Sequence, residues 1–253
     1  MMVGMTGRAV LVTGASRGIG RAVAQVFAAG GDRVAIHYRE SGVLANELRD
    51  ALPGHGHVVV QGDLADPEAV RAAVDGAAAA LGGLDVLVNN AGVFTPHPIF
   101  DTSYEDWQRE WRQTLDINLM GAANAIWCAA RHMRQSGGRI INVSSRGAFR
   151  GEPKQAAYGA SKAALNSLTQ SLAVALAPYG IAVTAVAPGF VETDMASEHL
   201  NSERGDEIRA QSPFHRVARP EEVAAAVHWL ASAEAQWAAG AIIDLNGASY
   251  LRT

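Results

Sequence analysis

The chain has 253 residues, 49% hydrophobic and 18% charged: enough apolar material for one large core, and too much for a disordered chain. Its net charge of −4 gives no reason to expect nucleic acid or an anionic membrane as partner. A single cysteine, Cys128, excludes an internal disulfide and fits a reducing compartment; within the apolar run AIWCAA it reads as a small core residue. The opening MMVGMTGRAVLVTG has no charged segment followed by a long apolar run, and no stretch is long enough to span a bilayer, so a cytoplasmic location is expected.

In chain order, short β-branched runs alternate with longer Ala-rich segments. RAVLVT (8–13) leads into the helix IGRAVAQVFAAG, and RVAIHY (33–38) into VLANELRDAL. HVVVQG (57–62) precedes PEAVRAAVDGAAAAL, whose start is marked by a capping carboxylate, Asp66, ahead of Pro67. LDVLVN (84–89) is followed by a long helical segment from Tyr104 to Arg134, opened by Ser103 with Asp106 as a capping box. RIINVS (139–144), the helix AAYGASKAALNSLTQSLAVALA, IAVTAVA (181–187), the helix PEEVAAAVHWLAS and AIIDL (241–245) complete the series. Several strands are continuously apolar rather than alternating, as strands buried on both faces of a parallel sheet are. The pattern predicts a single α/β domain, a doubly wound parallel sheet of about seven strands with helices on both faces. Residues 190–219 interrupt the alternation; polar and long for a connection, they are expected to form a substrate lid.

VLVTGASRGIGRAV places Gly14, Gly18 and Gly20 between the first strand and the first helix. Glycines there let the backbone approach a pyrophosphate, and the helix N-terminus supplies free N–H groups. The end of the second strand then selects the dinucleotide. An acid at that point would bond the ribose 2′-hydroxyl of NAD. Here Tyr38 stands in its place, followed by Arg39, with Arg17 in the glycine loop, while Glu40 comes one residue late. Two guanidiniums suit a 2′-phosphate, so NADP(H) is expected to be preferred and NAD(H) to be possible.

Against nineteen arginines the chain has two lysines, Lys154 and Lys162, and the second lies four residues after Tyr158 in YGASK. On a helix these two side chains are neighbours. A cation beside a phenol lowers its pKa and makes it a plausible acid catalyst, and a compact ammonium can relay protons where arginine stays protonated.

With TGASRGIG, GDL (62–64), NNAG (89–92), Asn118 in DINL, VSS (143–145), YGASK and PGFVET (188–193) in this order, the chain resembles the short-chain dehydrogenase/reductase family over essentially its whole length. Within that family it is most similar to the 3-oxoacyl carrier-protein reductase-like branch. The resemblance implies a Rossmann fold and an oxidoreductase that moves a hydride between NADP(H) and a carbonyl or secondary alcohol. It implies that Tyr158 is the proton donor or acceptor and that Lys162 lowers the tyrosine's pKa and bonds the nicotinamide ribose. Ser145 would polarise the carbonyl, Ser144 would support the strand end, and Asn118 would hold a water linking Lys162 to solvent. For the cofactor it implies Gly14, Ser16, Arg17, Gly18, Ile19 and Gly20 at the pyrophosphate and Asp63 and Leu64 at the adenine. Asn90, Ala91 and Gly92 would serve the adenosine ribose, and Pro188, Gly189, Val191 and Thr193 the nicotinamide. Phe94, Phe149, Gln155, Phe190, Met195 and Phe214 are candidate pocket walls, no metal is called for, and a homotetramer or homodimer is expected. The branch commonly carries basic residues before strands five and six. Ser136 and Tyr179 stand there instead, with Arg134 close by, which weakens the expectation of a docked carrier protein. The loop RGAFRGEPKQAAY, with Arg146, Arg150, Glu152 and Lys154, is too charged to wall a purely apolar chain and leaves an anionic or polyhydroxy substrate open. The alternatives are an NAD-dependent sugar or secondary-alcohol dehydrogenase and a dinucleotide-sensing protein without catalysis.

Overall fold

In the computed structural model, which describes residues 7–252 apart from the side chains of Glu198 and His199, seven strands form one parallel sheet in the order β3-β2-β1-β4-β5-β6-β7. The strands are β1 (Ala9–Val12), β2 (Arg33–Tyr38), β3 (Val58–Gln61), β4 (Val86–Asn89), β5 (Gly138–Val143), β6 (Ile181–Pro188) and β7 (Ile242–Leu245). The expectation about a signal sequence falls partly on residues 1–6, outside the described residues.

Alternate residues of each strand enter different cores. Val10, Val12, Val34, Ile36, Val86, Val88 and Val143 pack with α1 (Gly18–Ala29), α2 (Gly42–Ala51) and α10 (Pro220–Leu230). Leu11, Ala35, Leu87, Ile140 and Val183 pack on the other face with α3 (Pro67–Leu81), α5 (Ala122–Met133) and α7 (Ala156–Leu176). Both faces are covered, which is why these strands read as unbroken apolar runs. Cys128 is buried in the second core, as a small apolar residue would be.

The Asp66 carboxylate accepts the Glu68 N–H at the start of α3, and the Ser103 hydroxyl accepts that of Asp106 at the start of α4 (Tyr104–Leu115). The segment read as one helix from Tyr104 to Arg134 is continuous but changes pitch. Between α4 and α5 lies a π turn, Asp116–Gly121, and Asn118 sits inside it. Gly121 permits that turn to lie against the loop after β3, since a Cβ there would meet Leu64 O at 2.7 Å. Residues 190–219 hold two short helices, α8 (Asp194–Leu200) and α9 (Gly205–Ala210), whose Ala196, Leu200 and Ile208 make a small cluster of their own with Phe190 and Val217.

The order of the strands reverses direction between β1 and β4, which opens a crevice at their C-terminal ends. His37 ties two of the loops above it together. Its Nδ1 accepts the Gly14 N–H at 3.2 Å, so the proton resides on Nε2, which donates to Gly62 O at 3.1 Å. Burial holds this ring neutral, its pKa lowered to about 4 against the opposing pull of the Gly62 bond and Asp63. A His with a depressed native pKa binds its proton more readily in the unfolded chain. His37 therefore contributes nothing to pH dependence above its unfolded value of about 6.5, and stability falls as pH drops from there toward 4. Urea unfolding at pH 5 should show a loss of about 2 kcal/mol relative to pH 7.5 from this residue. His37→Gln should remove that part of the slope; an unchanged slope would mean the ring is not held neutral.

Candidate active site

The floor of the crevice is built by the loops after β1 and β4. Thr13, buried at the end of β1, accepts the N–H groups of Asn90 and Ala91 on its hydroxyl at 2.9 and 3.1 Å. The Asn90 amide in turn donates to Thr13 O at 2.9 Å and Gly14 O at 3.1 Å, so its side chain braces the glycine loop. Gly14 and Gly18 lie at positive φ, +62° and +56°. Gly20 does not face the crevice: a Cβ there would stand 2.4 Å from Gly14 O and 2.5 Å from Asn90 Nδ2, so its role is close packing under the loop. Among the described residues no side chain caps the N-terminus of α1, and no acid lies in its first turn, where Gly18 and Ile19 line the crevice. This cradle of backbone donors without Cβ atoms fits a pyrophosphate.

The cleft that runs from here measures about 590 Å³. Apart from Gly20, every residue expected at the cofactor lines it: Ser16, Arg17, Tyr38, Arg39, Asp63, Leu64, Ala91, Gly92, Pro188, Gly189, Val191 and Thr193 stand beside those already named. Two expectations at the ribose end are modified. Arg39 is paired with Glu40 at 3.0 Å on the surface. Ser41, unmarked in the sequence reading, also lines this end, and its side chain makes no capping bond to α2.

At the other end, α7 brings Tyr158 and Lys162 to the mouth of the cleft. The helix is laid on β5 by polar contacts. Lys162 Nζ donates to Val143 O at 2.8 Å, and the Ser144 hydroxyl to Lys162 O at 3.3 Å, the strand-end role expected of Ser144. The start of α7 is capped from the loop after β4: buried His97 accepts the Ala157 N–H on Nε2 at 3.1 Å and donates from Nδ1 to Thr95 O at 2.9 Å. A lone histidine in FTPHPIF gave no sequence signal of this. Ser145 lies beside the Tyr158 side chain in the cleft lining, and its hydroxyl accepts the Gly147 N–H at 3.0 Å. Phe94 packs edge-on against the Tyr158 ring, with centroids 4.7 Å apart.

The titration of the pair differs from the expected one. Burial pushes the Tyr158 phenol up to about 12, the Ser145 hydroxyl pulls it back and Glu152 adds to the rise. The Lys162 Nζ lies 5.7 Å from the ring centroid, bound to the Val143 carbonyl, and burial brings its own pKa down to about 8. Asn118 is committed as well. Its Oδ1 accepts from Val93 N at 2.8 Å and its Nδ2 donates to Val93 O and to the Ser161 hydroxyl at 3.0 and 3.2 Å.

Among the pocket candidates, Phe94, Phe190 and Met195 line the cleft. Gln155 and Phe149 do not. Gln155 is buried as the residue that starts α7, its carbonyl accepting the Tyr158 and Gly159 N–H groups. Phe149 turns to the C-terminal segment, under the Arg252 guanidinium at 4.2 Å and with its carbonyl on the Tyr250 hydroxyl. Phe214 lines a second cavity of about 330 Å³.

The chain matches the family model described as enoyl-(acyl carrier protein) reductase over residues 14–247. It is 38% identical to the 3-oxoacyl-[acyl-carrier-protein] reductase FabG of Staphylococcus aureus over 247 residues, 96% of this chain and 98% of that one. It is 42% identical over 248 residues to an uncharacterized short-chain type dehydrogenase/reductase, y4vI, of Sinorhizobium fredii; the match takes in 95% of this chain but only 43% of that longer protein. The structure of a short chain dehydrogenase from Burkholderia cenocepacia in complex with NADP superposes with a TM-score of 0.88 at 37% identity, covering 97% of this chain and 98% of that one. The chain belongs to the short-chain dehydrogenase/reductase family of NAD(P)-dependent oxidoreductases.

Proposed function

We propose that this protein is a single-domain, NADP(H)-dependent carbonyl reductase of the cytoplasm, with Tyr158 as its general acid. The observation that carries the reading is that Ser145, Tyr158 and Lys162 line one end of the same cleft that holds the glycine cradle. A carbonyl oxygen at that point meets two hydroxyls. Ser145 donates to it and polarises the carbon–oxygen bond, while Tyr158, held protonated by burial, gives up its proton as charge develops on the oxygen. Pro188, Gly189, Val191 and Thr193 would hold the nicotinamide, which would supply the hydride. Lys162, its pKa lowered to about 8 by burial, would hold the nicotinamide ribose and can gain or release a proton near neutral pH one helical turn from Tyr158. Asn118 holds the loop at Val93 that walls this corner. The helices α8 and α9 are read as the lid, and exposed Trp127 and Val174 on α5 and α7 as faces that assemble a homotetramer.

Tyr158→Phe should bind NADPH almost as the wild type does and lose ~10²–10⁴-fold in kcat. Retention of more than about a tenth of the wild-type rate would remove Tyr158 from the mechanism.

Cofactor choice turns on the far end. Arg17, Arg39 and the Ser41 hydroxyl surround the position of a 2′-phosphate, and a charge-assisted bond to phosphate contributes ~1.5–3 kcal/mol before screening. Glu40 offsets part of this by holding Arg39, and that ion pair favours the NAD reading. The ratio of kcat/KM for NADPH over NADH is expected on the order of 10-fold to 100-fold, to fall with added salt, and to rise in Glu40→Gln. A wild type that prefers NADH would establish that Arg39 serves Glu40 and not the cofactor.

A further inference from the structure

Arg146 follows Ser145 in the chain, where β5 gives way to the short helix α6 (Gly147–Arg150). Its side chain is buried, with 4% of the residue's surface exposed, and among the described residues no carboxylate forms an ion pair with it. That is an unusual state for a guanidinium, because arginine is almost never fully buried without a partner. What it does touch is the Ser249 hydroxyl, 2.5 Å from Nη1, and the face of Phe190, 5.5 Å away. A guanidinium has five N–H donors and Ser249 uses one. None of its nitrogens is among the sealed, unsatisfied polar atoms of the interior, and the residue lines cavity space.

Arg146 and Phe190 are the two residues that line both the cleft and the second cavity, so together they form the wall between them. Arg150 lies near enough to repel the Arg146 charge and Glu152 near enough to attract it. Three charges thus leave this corner one net positive, with an acid on the cleft side that opposes any second negative charge.

We infer that Arg146 anchors an anionic substrate: the carbonyl compound whose oxygen meets Ser145 and Tyr158 carries a carboxylate, a short spacer away, which the Arg146 fork receives at the wall between the two cavities. This rests on the reductase reading of the same site. A planar guanidinium matches a carboxylate with two parallel bonds, and one net charge suits a monoanion better than a phosphate dianion. Ser145 lines the cleft and Arg146 stands at its wall toward the second cavity, so the carbonyl would lie on the cleft side and the acid toward that wall.

Acetoacetate, levulinate and 5-oxohexanoate, each beside its methyl ester, test this with NADPH in the wild type, Arg146→Lys and Arg146→Met. At one or more chain lengths the wild type should favour the acid by about tenfold or more in kcat/KM, mainly through KM, and added salt should shrink the ratio. The ratio should fall to about unity in Arg146→Met and survive in part in Arg146→Lys. Esters that match their acids at every length in the wild type would overturn the inference, as would a preference that persists in Arg146→Met. The wild-type comparison needs no variant, so a folding defect cannot blur it. If no ketone of the set is reduced, calorimetric titration of levulinate into the NADP-loaded protein decides. Binding that disappears in Arg146→Met supports the anchor, and no binding by the wild type overturns it. Esters reduced as well as acids, with Tyr158→Phe inactive, would leave the reductase reading standing and remove only the carboxylate.

Discussion

The active corner depends on how α7 is fastened to β5. Lys162 places a buried ammonium on the Val143 carbonyl, the Ser144 hydroxyl bonds back to the Lys162 carbonyl, and two turns further the Asn142 amide donates to Thr169. Asn89 continues the line into β4 through Asn142. Burying a cation is costly unless it finds an acceptor, so the strand end and the helix are specified together. Because Tyr158 lies one turn before Lys162, the same seam sets where the phenol stands relative to Ser145. His97 fixes the remaining freedom by closing the first turn of that helix from the loop after β4.

The two ends of the cleft are governed by opposite electrostatics. At the glycine end the uncapped start of α1, Arg17 and Arg39 present positive potential to a phosphate-rich ligand, largely through groups open to solvent. At the Tyr158 end the groups are buried, and what matters is desolvation. Arg146 combines the two regimes, a full charge in a buried place. Such a group destabilises the unliganded protein and is relieved when an anion arrives, which makes it a specificity element rather than a scaffold one.

Most of the fold was legible in the sequence. Arg33–Tyr38 is a strand over the very residues that read as one, because a run buried on both faces advertises itself by composition alone. The break in the long segment after Tyr104 was not legible. The π turn at Asp116–Gly121 arises from tertiary demands, the Asn118 bonds to Val93 and the tight approach of Gly121 to Leu64, and neither leaves a periodicity signal. In the site, Ser145, Tyr158 and Lys162, named from their motifs, line one cleft. Gln155 and Phe149 did not, since residue type says nothing about which way a side chain leaves a turn. His37 and Ser41 went unremarked because their roles are set by neighbours distant in the chain, Gly14 and Gly62 for the one and the shape of the ribose end for the other.

Burial moves the two titrating groups of the corner toward neutrality from opposite sides, the phenol up to about 12 and the ammonium down to about 8. Near pH 7 the phenol therefore keeps its proton, and that proton is available to an oxygen that gains charge. Taking a proton from an alcohol would first require the phenol to ionise, against the burial and against the nearby Glu152. A positive charge brought into the cleft would ease that ionisation, and the oxidised nicotinamide carries one where the reduced form carries none. Under the proposed reductase reading, the protonation state that suits each direction of the reaction would be tied to the redox state of the cofactor. Glu152 sharpens the contrast, because its carboxylate makes the uncharged phenol the favoured form until that compensating charge arrives.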